Sequence, residues 1–185
     1  MKDLIQLKRK DNVVIEAELK ILDESYIDKI MELENDIYNG LDNKELYSVS
    51  SREDFLEFIS TNKGEILGCV SIEDDKLIAM GVYGKFGYDK SNYGYDIELE
   101  GEELLKVGQI ESTVVKNDFR GNKLQKIICE HLERFGKENN TSIMCATASP
   151  YNEYSLNTFK TLGYKEKKEK LKYGGLRRYV LVKEL

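Results

Sequence analysis

One segment of this 185-residue chain gathers side chains suited to holding an anion at a turn: Val115, Lys116, Asn117, Asp118, Phe119, Arg120, Gly121, Asn122, Lys123, Leu124, Gln125 and Lys126. A strand pattern ends at Lys116 and a helical pattern starts near Gly121. The first N–H groups of a helix have no partner inside it and point outward with the positive end of the helix dipole. A phosphate placed there gains several donors at once. Within 116–126, Lys116, Arg120, Lys123 and Lys126 stand against the single acid Asp118, a local charge of +3. A patch of this size suits a small polyphosphate better than a nucleic-acid groove; an ordinary loop with charged flanks is the alternative.

Proton-transfer chemistry points to Glu111. It shares a strand face with Val115, four residues on, and partial burial there raises a carboxyl pKa toward neutrality, where it serves as a general base. A strand-end Glu reaching solvent is the bland alternative. Cys145 and the single histidine, His131, both read as core rather than as a nucleophile and its base. Cys69, Cys129 and Cys145 form no CxxC pair, which fits buried thiols in a reducing cytosol. No group has metal-ligand spacing, so no metal is expected.

These residues need a scaffold, and the periodicities describe one. Residues 13–21 alternate as a strand. A helical stretch opens at Asp23 with Ile27, Ile30, Met31, Ile37 and Tyr38 in a stripe and closes at Gly40. Ser51 to Asp54 resembles a capping box before a helix carrying Phe55, Phe58 and Ile59. Residues 65–72 and 77–83 read as an antiparallel hairpin. The Gly- and Tyr-rich stretch 84–95 is either a solvated loop or a substrate-facing one. A strand over 108–116, a helix over 121–136, a strand over 142–147, a helix from Asn152 to Leu162 and strands near 164–172 and 176–183 complete the chain. A mixed sheet with helices on both faces buries these stripes most simply.

Composition narrows the class. At 41% hydrophobic and 34% charged residues the chain reads as one globular domain. Its 28 basic against 34 acidic residues, a net charge of −6, argue against a sequence-independent nucleic-acid binder. No stretch approaches the length of a membrane span, and residues 1–10 lack the apolar run of a signal peptide, so a cytoplasmic protein with no membrane partner is expected.

The segment 115–126 resembles the acetyl-CoA-binding motif of the GCN5-related N-acetyltransferases (GNAT superfamily). Val115, Phe119, Arg120 and Gly121 fit that pattern; Asn117 stands where Pro is common, and Lys123 and Gln125 replace two later glycines. A second stretch is similar to the later family motif, with Asn152, Ser155, Phe159, Gly163 and Tyr164 filling all five of its positions. The resemblance covers nearly the whole chain, leaving 1–12 and 84–107 without a clear counterpart.

The resemblance implies a mixed α/β (α+β) acyl-CoA N-acyltransferase fold, with a mostly antiparallel sheet of about seven strands. The strands at 109–116 and 142–147 would splay at the coenzyme A site. Val115 would offer main-chain groups to the pantetheine arm, and the amides of 121–126 would hold the pyrophosphate, with Lys116, Arg120, Asn122, Lys123, Leu124, Gln125 and Lys126 around it. Asn152, Ser155 and Phe159 would line the pantetheine path. The usual thiol-protonating tyrosine falls at Phe159, which has no hydroxyl; Tyr154 is the nearest substitute. The implied reaction is acetyl transfer from acetyl-CoA to an amine, with a small-molecule acceptor favoured over a protein one and an acyl-CoA sensor as the rival reading. The acceptor and the oligomeric state, monomer or homodimer, stay open.

Overall fold

The structure is a computed structural model that describes residues 3–61 and 63–185. Its centre is an eight-stranded sheet in the order β1-β2-β3-β4-β5-β6-β8-β7. The strands are β1 (Asp3–Lys8), β2 (Val14–Ile21), β3 (Gly64–Ser71), β4 (Leu77–Gly84), β5 (Val107–Val115), β6 (Ile143–Ala148), β7 (Lys165–Lys172) and β8 (Leu176–Glu184). Every neighbouring pair is antiparallel except β5 and β6. The helices are α1 (Ile27–Asn39), α2 (Arg52–Ser60), α3 (Leu124–Glu138) and α4 (Glu153–Thr161).

Strand alternation sends side chains to both faces of the sheet. Leu67 and Cys69 of β3 and Ala79 and Tyr83 of β4 pack with Leu124, Ile128 and Leu132 of α3. Ile66 and Val70 of β3 and Met80 and Val82 of β4 pack with Ile27, Ile30 and Leu33 of α1 and Phe55 of α2. Helices therefore cover both faces, as the periodicities require. The Ser51 capping box forms: its hydroxyl accepts from the Asp54 N–H, and the Asp54 carboxylate accepts from the Ser51 N–H.

The sheet has eight strands rather than about seven. The extra one is β1, whose short Asp-Leu-Ile-Gln-Leu-Lys run buries little and reads weakly as a strand. It has a local job. The Asn122 side-chain amide accepts from the Lys8 N–H at 2.9 Å and donates to the Lys8 carbonyl at 2.8 Å, while the Lys10 N–H donates to the Asp118 carbonyl at 2.9 Å. The β1 end is thus strapped to the turn ahead of α3. That helix begins at Leu124, three residues later than the periodicity suggests, because Gly121 (φ 97°) and Lys123 (φ 59°) adopt left-handed conformations that a helix excludes.

The stretch after β4 is ordered by two short 3-10 helices, Tyr93–Ile97 and Gly101–Lys106. Buried Asn92 holds it together, donating to the Gly87 carbonyl at 2.6 Å and the Leu104 carbonyl at 3.0 Å. Lys170 and Lys172 of β7 both pair with Asp96 and tie this stretch to the far edge of the sheet.

Candidate active site

Strands β5 and β6 pair only from Val107↔Ile143 to Ile110↔Ala146, and beyond that point they part. A cavity of about 620 Å³ opens where they separate. One wall is Glu111, Ser112 and Thr113 of β5; the other is Thr147, Ala148 and Ser149, followed by Asn152, Ser155 and Phe159 on α4. Leu46–Ser50 and the start of α2 roof it, and Tyr93, Asp96, Lys170–Tyr173 and Arg178 close its end.

Glu111 stands at the mouth of this separation for a reason of register. Val82 pairs with Ser112 and Tyr83 with Ile110, which leaves Glu111 as the extra residue of a β-bulge. A bulge re-aims the side chain it carries. The Glu111 carboxylate accepts from the Tyr93 hydroxyl at 2.9 Å and from the Gln109 side-chain amide. Tyr93 also bonds the Tyr173 hydroxyl, which reaches Thr147 Oγ1 on the opposite wall at 3.0 Å. A continuous hydrogen-bonded chain thus runs from Glu111 across the splay. Burial pushes the Glu111 carboxyl above the usual range, against the opposing pull of its Gln109 and Tyr93 donors and of nearby Lys172. Burial likewise pushes the Tyr93 and Tyr173 hydroxyls up, and the charge of Glu111 adds to it. Burial also opposes ionisation of Asp96, but the bonds from Lys170 and Lys172 prevail and hold its pKa below the usual range.

The roof is pinned by a buried acid. Glu34 of α1, 1% exposed, accepts from the Tyr47 hydroxyl at 2.7 Å and the Ser50 N–H at 3.0 Å. Tyr47 in turn meets Ser112 Oγ at 2.6 Å. Burial raises the Glu34 pKa, partly offset by the Ser50 and Tyr47 donors. Glu34→Ala leaves those donors unpaired and is expected to lower stability by about 2 kcal/mol. Glu34→Gln keeps an acceptor oxygen and removes a desolvated charge. A raised pKa means Glu34 loses its favourable contribution as pH rises through that value, so above it the Gln variant is expected to match or exceed the wild type. Urea unfolding at two pH values checks both.

The turn over 116–123 leads from β5, whose Glu111–Thr113 line the cavity, into α3. Ile127 makes the first helical bond of α3, to the Lys123 carbonyl, so the amides of 124–126 have no partner within the helix. A Cβ built at Gly121 meets nothing within 4 Å, which leaves its backbone open to close approach. Arg120 and Lys123 are exposed and without an ion-pair partner among the described residues. Lys116 lies 3.8 Å from Asp36 and Lys126 3.7 Å from Glu130, so part of the local positive charge is already met. Val115 is half-buried at the end of β5, and Leu124 points into the core, leaving its N–H as the group it can offer.

Residues 27–164 match the Acetyltransferase (GNAT) family. The chain belongs to the GNAT acetyltransferase family. Its fold is shared by an N-acetyltransferase from Staphylococcus aureus Mu50 (15% identity, TM-score 0.68, 91% of this chain and 98% of that one). Arabidopsis thaliana NAA60 in complex with acetyl-CoA is also similar (9%, 0.71, 91% and 98%). So is the ribosomal-protein-S5-alanine acetyltransferase from Vibrio fischeri (13%, 0.66, 91% and 92%). At these identities the likeness is one of fold. Among curated proteins none matches the chain.

Within this GNAT fold the departures from the family motif acquire physical content. Gln125, in place of a small residue, donates to Thr113 Oγ1 at 2.9 Å and Ser155 Oγ at 3.1 Å and so bridges the two walls. Asn152 caps α4, accepting from the Ser155 N–H at 3.1 Å. Phe159 is 3% exposed and packs edge-on against Tyr164, with ring centroids 5.0 Å apart. Tyr154 is not brought to the cavity: it is 89% exposed on α4, one residue past the helix start and on its solvent side. The tyrosine hydroxyls bonded to Glu111 and Thr147 are those of Tyr93, from the Gly- and Tyr-rich stretch, and Tyr173, from the β7–β8 turn, while that of Tyr47 is held by Glu34 and Ser112. Tyr88 and Tyr95 of the same stretch are 59% and 44% exposed. Cys145 is fully buried with its thiol pushed up to about 12 by burial, and His131 sits 3.9 Å from Asp3, so no Cys–His pair forms.

Proposed function

We propose that the chain transfers an acetyl group from acetyl-CoA to the amine of a small molecule. The observation that carries this reading is the position of Glu111: a desolvated carboxylate on a bulge at the point where β5 and β6 part. The cavity volume of about 620 Å³ falls within the range typical of small-molecule sites. Its roof and closed end favour such an acceptor over a folded protein.

Acetyl-CoA, when bound, supplies the activated acetyl carbon and the thiolate leaving group. The transfer forms a nitrogen–carbon bond and breaks a carbon–sulfur bond; the amine loses a proton and the sulfur gains one. Glu111 takes the amine proton, and burial, by raising its pKa, makes it a stronger base than a solvated carboxylate. Tyr93 and Gln109 fix the carboxylate's orientation. We assign protonation of the sulfur to Tyr173, at the far end of the hydrogen-bonded chain beside Thr147, a part that neither Phe159 nor Tyr154 can play. The unpartnered main-chain edge of β5 toward Val115 is suited to the pantetheine arm. The amides of 121–126, with Arg120 and Lys123, are suited to the phosphates. The side chain of Asn122 is committed to Lys8, so this residue contributes through its backbone. The reading calls on no metal, and three buried free thiols accord with a cytoplasmic location.

Arg120→Ala is expected to weaken coenzyme A binding by about 1–3 kcal/mol, a roughly 5- to 150-fold rise in Kd. Calorimetry measures it; an unchanged Kd places Arg120 outside the site. Release of free thiol from acetyl-CoA, followed over a panel of amines, tests the activity itself.

A further inference from the structure

We infer that the acceptor amine also carries an oxyanion, a carboxylate or phosphoryl group, and that Arg178 is its receptor. The inference rests on the acetyl-transfer reading and names the class of molecule that this cavity selects.

The ionisable groups lining the cavity are nearly all spoken for. Asp96 pairs with Lys170 and Lys172, Glu57 pairs with Lys63, and exposed Asp54 serves the α2 capping box. Two buried or half-buried groups have no ion-pair partner among the described residues: Glu111 and Arg178. They carry opposite charges and lie in one cavity.

Arg178 is 3% exposed. Its Nη1 donates to the Glu45 and Arg177 carbonyls, each at 2.8 Å, and its Nη2 is buried with no hydrogen-bond partner. A guanidinium stays protonated at any physiological pH, so the fold keeps a full positive charge out of water with no direct ion pair among the described residues, the charge of Glu45 acting on it only from a distance. Such a charge is costly, and two carbonyls do not require it: a neutral amide could hold them. What the guanidinium adds is a second, unused donor face and a charge. That fork matches the two oxygens of a carboxylate or phosphoryl group.

The spacing limits the ligand. The guanidinium carbon lies 5.7 Å from the centre of the Tyr173 ring, and the hydroxyl of that ring bonds Tyr93, which bonds Glu111. Tyr173 and Tyr93 therefore link Arg178 to the base through one ring contact and two hydrogen bonds. A compact molecule with an amine at one end and an oxyanion at the other, of the amino-acid type, satisfies both unpaired groups.

The test uses matched amines: an amino acid, its carboxamide, and the corresponding aminophosphonate. Rates are measured with acetyl-CoA, and binding is measured by calorimetry in the absence of turnover. The wild type is expected to favour an anionic member over the carboxamide by about a hundredfold in kcat/KM and in Kd. The better of the carboxylate and phosphonate arms identifies the group. In Arg178→Gln that preference is expected to collapse to within a few-fold, while Arg178→Lys, which keeps the charge without the fork, retains part of it. A thermal shift with acetyl-CoA reports whether each variant is folded; should Arg178→Gln not fold, the wild-type ratio and the Lys variant decide. Equal use of the carboxamide by the wild type, or an undiminished preference in folded Arg178→Gln, overturns the inference. If no amine is turned over, the acetyl-transfer reading fails; a hundredfold binding preference for the anionic amine then still supports the Arg178 site, and its absence refutes it.

Discussion

Glu111→Gln is expected to lower turnover about 10²- to 10⁴-fold, the usual contribution of a placed general base, while acetyl-CoA affinity stays at the wild-type level. Gln has the same shape, and its amide can still meet Gln109 and Tyr93 by turning its oxygen to one and its nitrogen to the other. The active form of Glu111 is the carboxylate, and burial raises its pKa. The wild-type rate therefore rises with pH through that raised value, and the variant lacks this limb. An acceptor amine of low intrinsic pKa separates the Glu111 limb from ionisation of the amine itself. Stability moves in the complementary sense. A carboxyl whose pKa is raised on folding contributes stability at low pH that is lost as pH rises through the folded value. Glu111→Gln should thus equal the wild type in acid and gain on it as pH rises through the raised Glu111 value. Near-wild-type turnover of this variant on a good substrate would remove Glu111 from the reaction.

The second large effect is at Gly81, in the middle of β4. A Cβ there would stand 2.4 Å from Ile128 Cγ2 and 3.1 Å from Leu132 Cδ1. Ile128 is fully buried, and Cγ2 is a branch at Cβ rather than the tip of a flexible chain, so it cannot swing away. Gly81→Ala is expected to destabilise the protein by about 1–3 kcal/mol, at roughly 2–4 °C of Tm per kcal/mol for a chain of this length. Because the clash drives α3 off the sheet, coenzyme A affinity should fall as well. Ile128→Leu removes Cγ2, and the Gly81→Ala/Ile128→Leu double variant should recover part of both losses. Thermal unfolding and calorimetry on the three variants settle this; a Gly81→Ala protein of unchanged Tm would mean that α3 is not held at this distance.

What could be read from the residues alone follows how local its cause is. The capping box at Ser51 and the Gly-bounded ends of α1 and α4 depend on a few neighbouring residues and were legible. So was the strand–turn–helix arrangement that carries Lys116, Arg120, Lys123 and Lys126, since charge and spacing lie within one short segment. The β1 strand was not, because its stabilisation comes from pairing with β2 and strapping to Asn122, 114 positions away. Glu111 could be singled out, but not the bulge that aims it, since a bulge is a property of the β4–β5 register. The Tyr93–Tyr173 contact joins residues 80 positions apart, and only folding brings them together. Tyr154 fitted by proximity in sequence and fails because helix phase places it on the solvent side. Arg178 lies in a strand written Leu-Arg-Arg-Tyr-Val-Leu-Val-Lys, where alternation marks a face but not whether that face meets solvent or a cavity.

One measurement bears most directly on acetyl transfer at this site: the wild-type protein with isotope-labelled acetyl-CoA and a panel of small amines, read simultaneously as free thiol and as N-acetylated product. Transfer in the Glu111 cleft predicts an amine on which thiol and labelled product appear in equal amounts, with the rate cut by Glu111→Gln. Acetyl-CoA that binds tightly yet yields no amine-dependent product on any member of the panel would contradict it and identify the cleft as a sensor's.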